Sequence, residues 1–432
     1  MKDHPPSPSV NLRPSLRTLE PSPVLAASET TDILRAQGTP VAKLALSQSP
    51  FPVPDSLVQA LRQAAPIKSY APVQGLLPLR EKIAAYLKRR FQVERSPEDV
   101  LIGPGSKELC FLLSLAHEGP LIVPTPCWSS IIPQARILHK PLFLIHTTRE
   151  DQFMLRPDTL SNTLCSTDLR GAILYLNSPS NPCGLTYSKE ELEAFAELAR
   201  AHDLLILSDE SYAELHHKGQ HLSIAPFCPE RTLVLTGLSK WVGAGGWRLG
   251  YLSIPPDLHP LRRAMVALAS QTFTATSTPI QWAAISAFEE SAEIENYLMN
   301  VRRVLSALGR LVARRIQAHG ATCPQPHGGL HVFIDWSAFP RPLPFSTGQA
   351  LCSHLLHKAR IALSPGIAFG RPTQELSARL SYVDFDGTRA LSAVQVIPRE
   401  QPIDETFLRR HCGPTLEALD RLLDWMRELQ GE

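Results

Sequence analysis

The 432-residue sequence predicts an α/β protein, with a large domain built on a mainly parallel sheet and a smaller α+β domain. From about residue 70, short apolar runs bounded by turn residues alternate with segments whose apolar residues have helical spacing. This alternation is typical of a parallel sheet covered by helices on both faces. After about residue 320 the pattern changes to sparser strands and a closing amphipathic helix. A chain of this length also exceeds one ordinary domain.

Each predicted element rests on its own local pattern. Residues 79–91 and 107–117 carry apolar residues at helical spacing, and Ser188 with Glu191 forms a capping box that predicts the start of a further helix. The predicted strands of the large domain are DVLIG (99–103), PLIVP (120–124), PLFLIH (141–146), GAILYLN (171–177), DLLILSD (203–209) and RTLVLTG (231–237). Those of the small domain are HGGLHVFIDW (327–336) and ARLSYVDFD (378–386), and TLEALDRLLDWMRELQ (415–430) predicts the closing helix.

These elements divide the chain into an arm and two domains. Residues 1–22 form a Pro/Ser-rich stretch without periodicity, which predicts a disordered or loosely draped arm. Residues 66–319 are assigned to the large domain, and residues 23–65 together with 320–432 to the small one. The irregular, polar segment 386–412 is expected to be a surface insertion.

Composition excludes several classes of protein. The 43 basic and 41 acidic residues give a net charge of +2, without the basic surplus of a dedicated nucleic-acid-binding protein. No apolar run is long enough for a membrane span, and the N-terminal residues lack the apolar core of a secretory signal. The eight cysteines include no CxxC pair, so reduced thiols and a cytoplasmic location are expected.

Three predicted strands end in unusual polar segments. They are NSPSNPCG (177–184), SDESY (208–212) and SKWVGAGGWRLGY (239–251). In sheets of this type the functional site lies at the carboxyl ends of the strands, so the three segments are expected to meet.

Their side chains suit a phosphorylated pyridine aldehyde. A lysine amine forms a Schiff base with an aldehyde. A carboxylate beside the ring nitrogen keeps that nitrogen protonated, which makes the ring a better acceptor of electrons. An arginine and the amides of a helix start suit a phosphate dianion.

Taken together, the motifs resemble those of the class I/II aminotransferases, which are fold-type I pyridoxal-phosphate enzymes. The resemblance runs from about Pro23 to Gln430 and is nearest to the bacterial aspartate/prephenate aminotransferase branch. NSPSNPCG resembles the family's Asn-Pro-Thr-Gly turn, with Cys183 where threonine is usual. SDESY resembles its Asp-x-x-Tyr strand end, and SKWVGAGGWRLGY its Ser-Lys…Gly-x-Arg-x-Gly segment.

The resemblance implies pyridoxal 5'-phosphate as cofactor and a role for each motif residue around its ring. Lys240 would form the Schiff base and carry the substrate's α-proton. Asp209 would pair with the pyridine nitrogen, while Tyr212 and Asn181 would hydrogen-bond the ring oxygen. Trp128 would stack on the ring.

It also implies how the phosphate is bound. Arg248 and Ser239 would contact it directly. GPGSKEL (103–109) resembles the family's phosphate loop, so the main-chain amides of Gly105, Ser106 and Lys107 would bind the same anion.

Substrate and subunit contacts follow in the same way. Arg379 would grip the substrate α-carboxylate, and Asn181 and Trp128 would also line the substrate site. Tyr70 falls where the family's tyrosine reaches the phosphate in the partner subunit, which implies a homodimer. Lys107 falls where one branch of the family has a lysine for the distal carboxylate of an acidic substrate.

Two positions depart from the family pattern. Ser47 stands where a glycine is frequent near the substrate carboxylate, and it is expected to narrow the site. Gly237 stands where a phosphate-binding serine is frequent.

The sequence thus predicts an aminotransferase that moves an amino group from an amino acid to a 2-oxo acid by a ping-pong mechanism. A lyase or decarboxylase on the same fold is the alternative within enzymes. A non-catalytic protein with a retained cofactor pocket is the third possibility. In HHKGQH (216–221), only His217 and His221 have the i, i+4 spacing of two metal ligands on a helix, and Gly219 interrupts it, so no metal is expected.

Overall fold

The structure is a computed structural model that describes residues 10–17, 19–339 and 343–431. Residues 1–9 of the predicted arm lie outside the described part. In the described part of this arm, Pro14–Leu16 form one turn of 3₁₀ helix. Leu16 N donates to Arg13 O at 2.9 Å, and the proline ring restricts φ to the range that such a turn needs.

Helices account for much of the described chain. They are α1 (Pro23–Ala36), α2 (Asp55–Ala64), α3 (Leu77–Phe91), α4 (Ser106–Ala116), α5 (Ile131–Ile137), α6 (Pro157–Ser166), α7 (Lys189–Ala201), α8 (His259–Thr272), α9 (Thr278–Phe288), α10 (Ala292–Ala318), α11 (Gly348–Lys358), α12 (Gly387–Gln395), α13 (Glu405–His411) and α14 (Gly413–Gln430). The capping box at the start of α7 is confirmed, with Glu191 N donating to Ser188 Oγ at 3.2 Å. No helix in the described ranges has both the length and the apolar character needed to span a bilayer.

All of the predicted strands are present. The strands are β1 (Ala42–Lys43), β2 (Val100–Gly103), β3 (Leu121–Thr125), β4 (Leu142–His146), β5 (Ile173–Asn177), β6 (Leu205–Asp209), β7 (Thr232–Gly237), β8 (Gly250–Ser253), β9 (His331–Asp335), β10 (Ile361–Ala362), β11 (Ser364–Pro365) and β12 (Ser377–Ser381).

A seven-stranded sheet lies within the predicted large domain, in the order β2-β8-β7-β6-β5-β3-β4. The pairs from β7 through β6, β5 and β3 to β4 are parallel. These central strands read as continuous apolar runs because helices cover both faces of the sheet. β8 pairs antiparallel with β2 and β7 and was not predicted, since it is short and follows a glycine-rich return.

The smaller sheet has the order β11-β12-β9 and is antiparallel, while β1 pairs in parallel with β10. Helix α10 connects the two parts of the chain. Leu308 and Val312 on this helix are fully buried, in one core with Tyr251 of β8 and Leu380 of β12.

The expectation that 386–412 is irregular is wrong, because the segment contains α12 and α13. Asp386 and Asp404 begin these helices by accepting hydrogen bonds from main-chain amides three residues on. Leu391 and Val394 of α12 are buried. The polar composition of the segment concealed the few apolar residues that hold both helices against the core.

Candidate active site

The three polar segments meet at the carboxyl ends of β5, β6 and β7, as the strand order requires. In the sheet register, Asn177 of β5 lies beside Asp209, the last residue of β6. A cavity of about 650 Å³ opens at this edge. Its lining includes the predicted residues Ser47, Ser106, Lys107, Trp128, Asn181, Asp209, Tyr212, Ser239, Lys240, Arg248 and Arg379.

Lys240 follows β7 by three residues and presents its amine to the cavity. Its Nζ donates to the main-chain carbonyl of Ser47 at 2.7 Å and lies 5.7 Å from the centre of the Tyr212 ring. Burial, together with the positive charge of Arg379, lowers the pKa of Lys240 to about 8. Near neutral pH a fraction of this amine is therefore uncharged and able to act as a nucleophile or a base.

Asp209 is a buried carboxylate held in a fixed orientation. Tyr175 Oη donates to its Oδ2 at 2.8 Å, and Ser211 Oγ donates to its Oδ1 at 2.6 Å. Burial raises the pKa of Asp209, although the hydrogen bonds from Ser211 and Tyr175 lower it. A buried carboxylate of this kind stabilises the protonated form of a neighbouring base more strongly than a carboxylate exposed to water does.

Arg379 lies on β12 and is buried in the wall of the cavity. Its Nη1 donates to Asn181 Oδ1 at 3.0 Å, and its Nη2 donates to Ala45 O at 2.5 Å. Burial lowers its pKa to about 10, so the guanidinium stays charged near neutrality. Its Nε is buried without a hydrogen-bond partner among the described residues. An unsatisfied buried donor of this kind favours the binding of an anion.

The start of α4 and Arg248 form a second basic end of the cavity. Gly105 precedes the helix with φ +97°, and no side chain caps the free amides of the first turn. The Arg248 guanidinium lies over this turn, where Nη2 donates to Pro104 O at 3.2 Å and Nη1 to Gly245 O at 2.8 Å. A Cβ on Gly105 would come within 2.3 Å of Arg248 Nη2, so glycine allows the close approach. Helix amides and a guanidinium arranged in this way suit a phosphate.

Lys107 and Trp128 lie side by side at the entrance. Lys107 Nζ is 5.8 Å from the centre of the Trp128 ring. Burial and the charge of Arg248 lower the pKa of Lys107. A second anion near Lys107 would relieve the repulsion between these two cations.

Residues 39–390 match the family model described as aminotransferase class I and II, which is well over half of the chain. The chain belongs to this family. An aspartate aminotransferase from a Bacillus species is 31% identical over 379 residues, which cover 85% of this chain and 93% of that relative. The aspartate/prephenate aminotransferase of Thermus thermophilus is 30% identical over 375 residues, again covering 85% and 93%.

Solved structures agree with this assignment. The aspartate aminotransferase from Thermus thermophilus with maleate superimposes with a TM-score of 0.82 at 27% sequence identity, covering 96% of this chain and all of that one. The fold-type I α/β class, pyridoxal phosphate as cofactor and transaminase activity are thereby confirmed. A lyase, a decarboxylase or a non-catalytic binding protein is not favoured.

The residues of this aminotransferase fit its cofactor. Gly105 leaves the space that the phosphate cradle needs, and Asp209 lies buried at the end of the central strand β6. Lys240 and Tyr212 line the same cavity. The cavity lining thus contains groups suited to a phosphate, a ring nitrogen and an aldehyde.

Ser47 lines the cavity, but its hydroxyl is engaged within the protein. Its Oγ lies 3.1 Å from His331 Nδ1 and 2.7 Å from Ser381 Oγ. The group it presents to Lys240 is the main-chain carbonyl, which any residue would supply.

Gly237 cannot be replaced by the family's serine without a shift of the main chain. A Cβ at this position would lie 2.7 Å from Leu249 O and 2.9 Å from Gly250 Cα, because β7 and β8 pair closely here. Gly237 is also absent from the cavity lining.

Tyr70 lies outside the cavity of its own chain and is 88% exposed. The main chain beside it is fixed to α9, since Thr278 Oγ1 donates to Ser69 O at 2.8 Å. The structure therefore does not bring Tyr70 to the other predicted site residues within one chain.

Sequence reasoning missed several residues of the aminotransferase site. Tyr175 and Ser211, which orient Asp209, carry no motif of their own, although both lie within the polar strand-end segments or the strand before them. Ser22, Gln48, Ser129 and Ser130 line the outer cavity. Loop and arm residues of this kind have no periodicity that would single them out.

The histidines of HHKGQH serve internal contacts. His221 Nε2 lies 3.2 Å from Glu210 Oε2, and the half-buried His217 has its Nε2 3.5 Å from Tyr382 Oη. Within the described ranges, no cluster of three or more His, Cys, Asp or Glu side chains has the arrangement of a metal site.

Proposed function

We propose that this aminotransferase uses glutamate or aspartate as one amino donor and passes the amino group to a 2-oxo acid in two half-reactions. The observation that carries the proposal is the presence of Lys107 in the same cavity as Lys240 and Arg379. The matched relatives named for aspartate or prephenate support an acidic substrate.

The charge of the cavity supports the same substrate class. The described lining residues include one acidic side chain, Asp209, and four basic ones, which are Lys107, Lys240, Arg248 and Arg379. The phosphate is assigned to Arg248 and the substrate α-carboxylate to Arg379, which leaves the Lys107 ammonium without an assigned anion. A dicarboxylate supplies a second negative group, which the basic entrance at Lys107 attracts.

Lys240 is proposed as the residue that carries the proton. Pyridoxal phosphate, when bound, supplies an aldehyde that combines with amines and a ring that withdraws electrons from the substrate α-carbon. The lowered pKa of Lys240 keeps its amine near the balance between proton acceptor and proton donor at physiological pH. The Ser47 carbonyl and the Tyr212 ring hold that amine at the cavity floor.

The remaining residues bind and orient. Asp209 is proposed to hold a proton at the ring nitrogen, and Tyr212 and Asn181 to hydrogen-bond the ring oxygen. Trp128 covers the ring and excludes water from one face. Arg379 is proposed to bind the substrate α-carboxylate, for which its unpartnered Nε and its fixed guanidinium plane are prepared.

At the other end, the amides of Gly105, Ser106 and Lys107 are proposed to bind the phosphate together with Ser239 and Arg248. The free amides at the start of α4 support this role.

Lys107→Ala with a panel of amino donors tests the substrate class. We expect the KM for glutamate or aspartate to rise more than about tenfold, because the variant loses one charge-assisted hydrogen bond to the distal carboxylate. The KM for alanine should change little, because alanine has no distal carboxylate. Lys358→Ala, at an exposed lysine on α11, is the control and should change neither constant. Equal weakening of acidic and neutral donors by Lys107→Ala would assign Lys107 to the phosphate and remove the support for an acidic substrate.

We also propose a homodimer in the cytoplasm, with Tyr70 reaching the phosphate of the partner subunit. Tyr70, Leu77 and Trp282 are large side chains left exposed in the single chain, which supports a contact with a second copy. All eight cysteines are free, as expected in a reducing compartment.

A further inference from the structure

A chain of buried hydrogen bonds lies beneath the cavity floor and is not part of the roles described above. It runs through Ser381, Ser47 and His331. His331 and Ser381 are cross-strand partners in the antiparallel pair of β9 and β12, and both contact the hydroxyl of Ser47. All three residues are buried.

The donor and acceptor of each hydrogen bond in this series can be assigned by starting from the main-chain carbonyl that His331 contacts. His331 Nε2 lies 3.2 Å from the main-chain carbonyl of Ser180, which can only accept, so Nε2 carries the proton. Nδ1 is then a bare acceptor and receives the Ser47 hydroxyl proton at 3.1 Å. Ser381 in turn donates to Ser47 Oγ at 2.7 Å. Burial and the charge of Arg379 lower the pKa of His331 well below its usual value, which keeps the imidazole neutral and this direction fixed.

The segment that Ser47 belongs to holds both basic groups at the cavity floor. Ala45 O accepts from Arg379 Nη2, and Ser47 O accepts from Lys240 Nζ at 2.7 Å. Ala45 has a second anchor, because Ser364 Oγ also donates to its carbonyl at 2.9 Å. At Ser47 the corresponding anchor is the side chain, held by His331 and Ser381.

His331 also supports the neighbour of Lys240 directly. Its imidazole packs edge-on against the Tyr212 ring, with centroids 5.2 Å apart and planes at 87°. Replacing the imidazole thus removes the acceptor for the Ser47 hydroxyl and one wall of the Tyr212 ring.

We propose that His331 is a positioning residue for Lys240, acting through the Ser47 hydroxyl to hold the Ser47 carbonyl against the lysine amine. The proposal rests on the assignment of Lys240 as the reactive lysine. His331 touches neither the cavity nor the reacting atoms, so its effect is exerted on the protonation and placement of that amine.

The test is the pKa of Lys240 in the cofactor-free, full-length protein, measured from the pH dependence of acetylation of Lys240 by acetic anhydride with mass spectrometry. The charged or titratable groups that face this amine are Arg379, Asp209, Arg248, Lys107 and Tyr212, and none of them is altered. Loss of a hydrogen bond to an ammonium group favours the neutral amine. His331→Leu should therefore lower the pKa of Lys240 by about one pH unit.

His331→Asn retains an acceptor at the position of Nδ1 and should keep the wild-type pKa. Ser47→Ala, a smaller change for the fold, should lower it as His331→Leu does. In the holoenzyme, kcat should fall about tenfold in His331→Leu and Ser47→Ala, with little change in KM, and His331→Asn should restore it.

Val332→Ala is the control for a purely structural effect, since Val332 is buried next to His331 on β9 and its side chain points to the opposite face of the strand. It should lower the stability of the protein and leave the pKa of Lys240 unchanged. A wild-type pKa in both His331→Leu and Ser47→Ala, or an equal shift in Val332→Ala, would overturn the proposal. A shifted pKa with unaltered kcat would instead show that Lys240 is not the reactive lysine, which is a failure of the proposed function.

Discussion

Lys240 Nζ donates a hydrogen bond to the main-chain carbonyl of Ser47, 2.7 Å away and 193 residues earlier in the chain. One partner follows the central strand β7 of the large sheet, and the other lies in the segment after β1. This hydrogen bond thus links the segment after β1 to the segment after β7 at the cavity. Its lowered pKa follows from this position, because burial and the nearby Arg379 both disfavour the ammonium form.

The buried amine should reduce the stability of the cofactor-free protein at neutral pH. The folded-state pKa of about 8 lies below the ordinary value of 10.5, so the unfolded chain binds more protons between these two pH values. Stability consequently rises with pH across that window. We expect Lys240→Met to stabilise the cofactor-free protein by on the order of 2 kcal/mol at pH 7, with a smaller gain near pH 10.

Urea unfolding of the two proteins at both pH values measures this difference. Lys358→Met, at an exposed lysine, is the matched control and should have little effect at either pH. A stabilisation by Lys240→Met that is the same at both pH values would show that hydrophobic packing, not the charge, is responsible.

Gly105→Ala should weaken cofactor binding by more than about tenfold, because the new Cβ displaces Arg248 from the phosphate cradle. Gly38→Ala is a close control. Gly38 has a comparable positive φ of +82°, but a Cβ there meets no atom within 4 Å. It should cost about 1 kcal/mol of stability and leave the dissociation constant of the cofactor unchanged. Equal affinity of the two variants, measured by titration with pyridoxal phosphate, would argue against the cradle.

Tyr70 should act in the site of the partner subunit. The single variants Tyr70→Ala and Lys240→Ala are each expected to have little activity. Mixed dimers of the two contain one site in which Lys240 and the partner's Tyr70 are both intact. Activity should therefore reappear after the two proteins are unfolded and refolded together. If the mixture has only the summed activity of its components, Tyr70 does not serve a shared site.

Much of the fold and the centre of the site were predictable from sequence. The strands that end at or shortly before Asn181, Asp209 and Lys240 are apolar runs that stop abruptly at polar residues, and parallel strands bring such ends together. The helix start at Ser188 was equally clear, since both members of its capping box lie within four residues.

What sequence did not reveal depends on contacts between distant segments. His331 reads as one residue of an ordinary strand, and only the pairing of β9 with β12 brings it to Ser47. The helices within 386–412 rest on a few buried side chains such as Leu391 and Leu408, too few to give a periodic signal. Gly237 stands where the family often has a phosphate-binding serine, and the close approach of β8, which the sequence does not reveal, leaves no room for a side chain there.

The central claim is that Lys240 and the surrounding cavity transfer the amino group of an acidic amino acid. Its most direct measurement is a single half-reaction, in which the holoenzyme is mixed with glutamate without any 2-oxo acid acceptor. We predict one equivalent of 2-oxoglutarate per bound cofactor, no release of ammonia or carbon dioxide, and no product from Lys240→Ala. If the wild-type enzyme forms neither 2-oxoglutarate from glutamate nor oxaloacetate from aspartate, the claim is contradicted. Undiminished product from Lys240→Ala would contradict it as well.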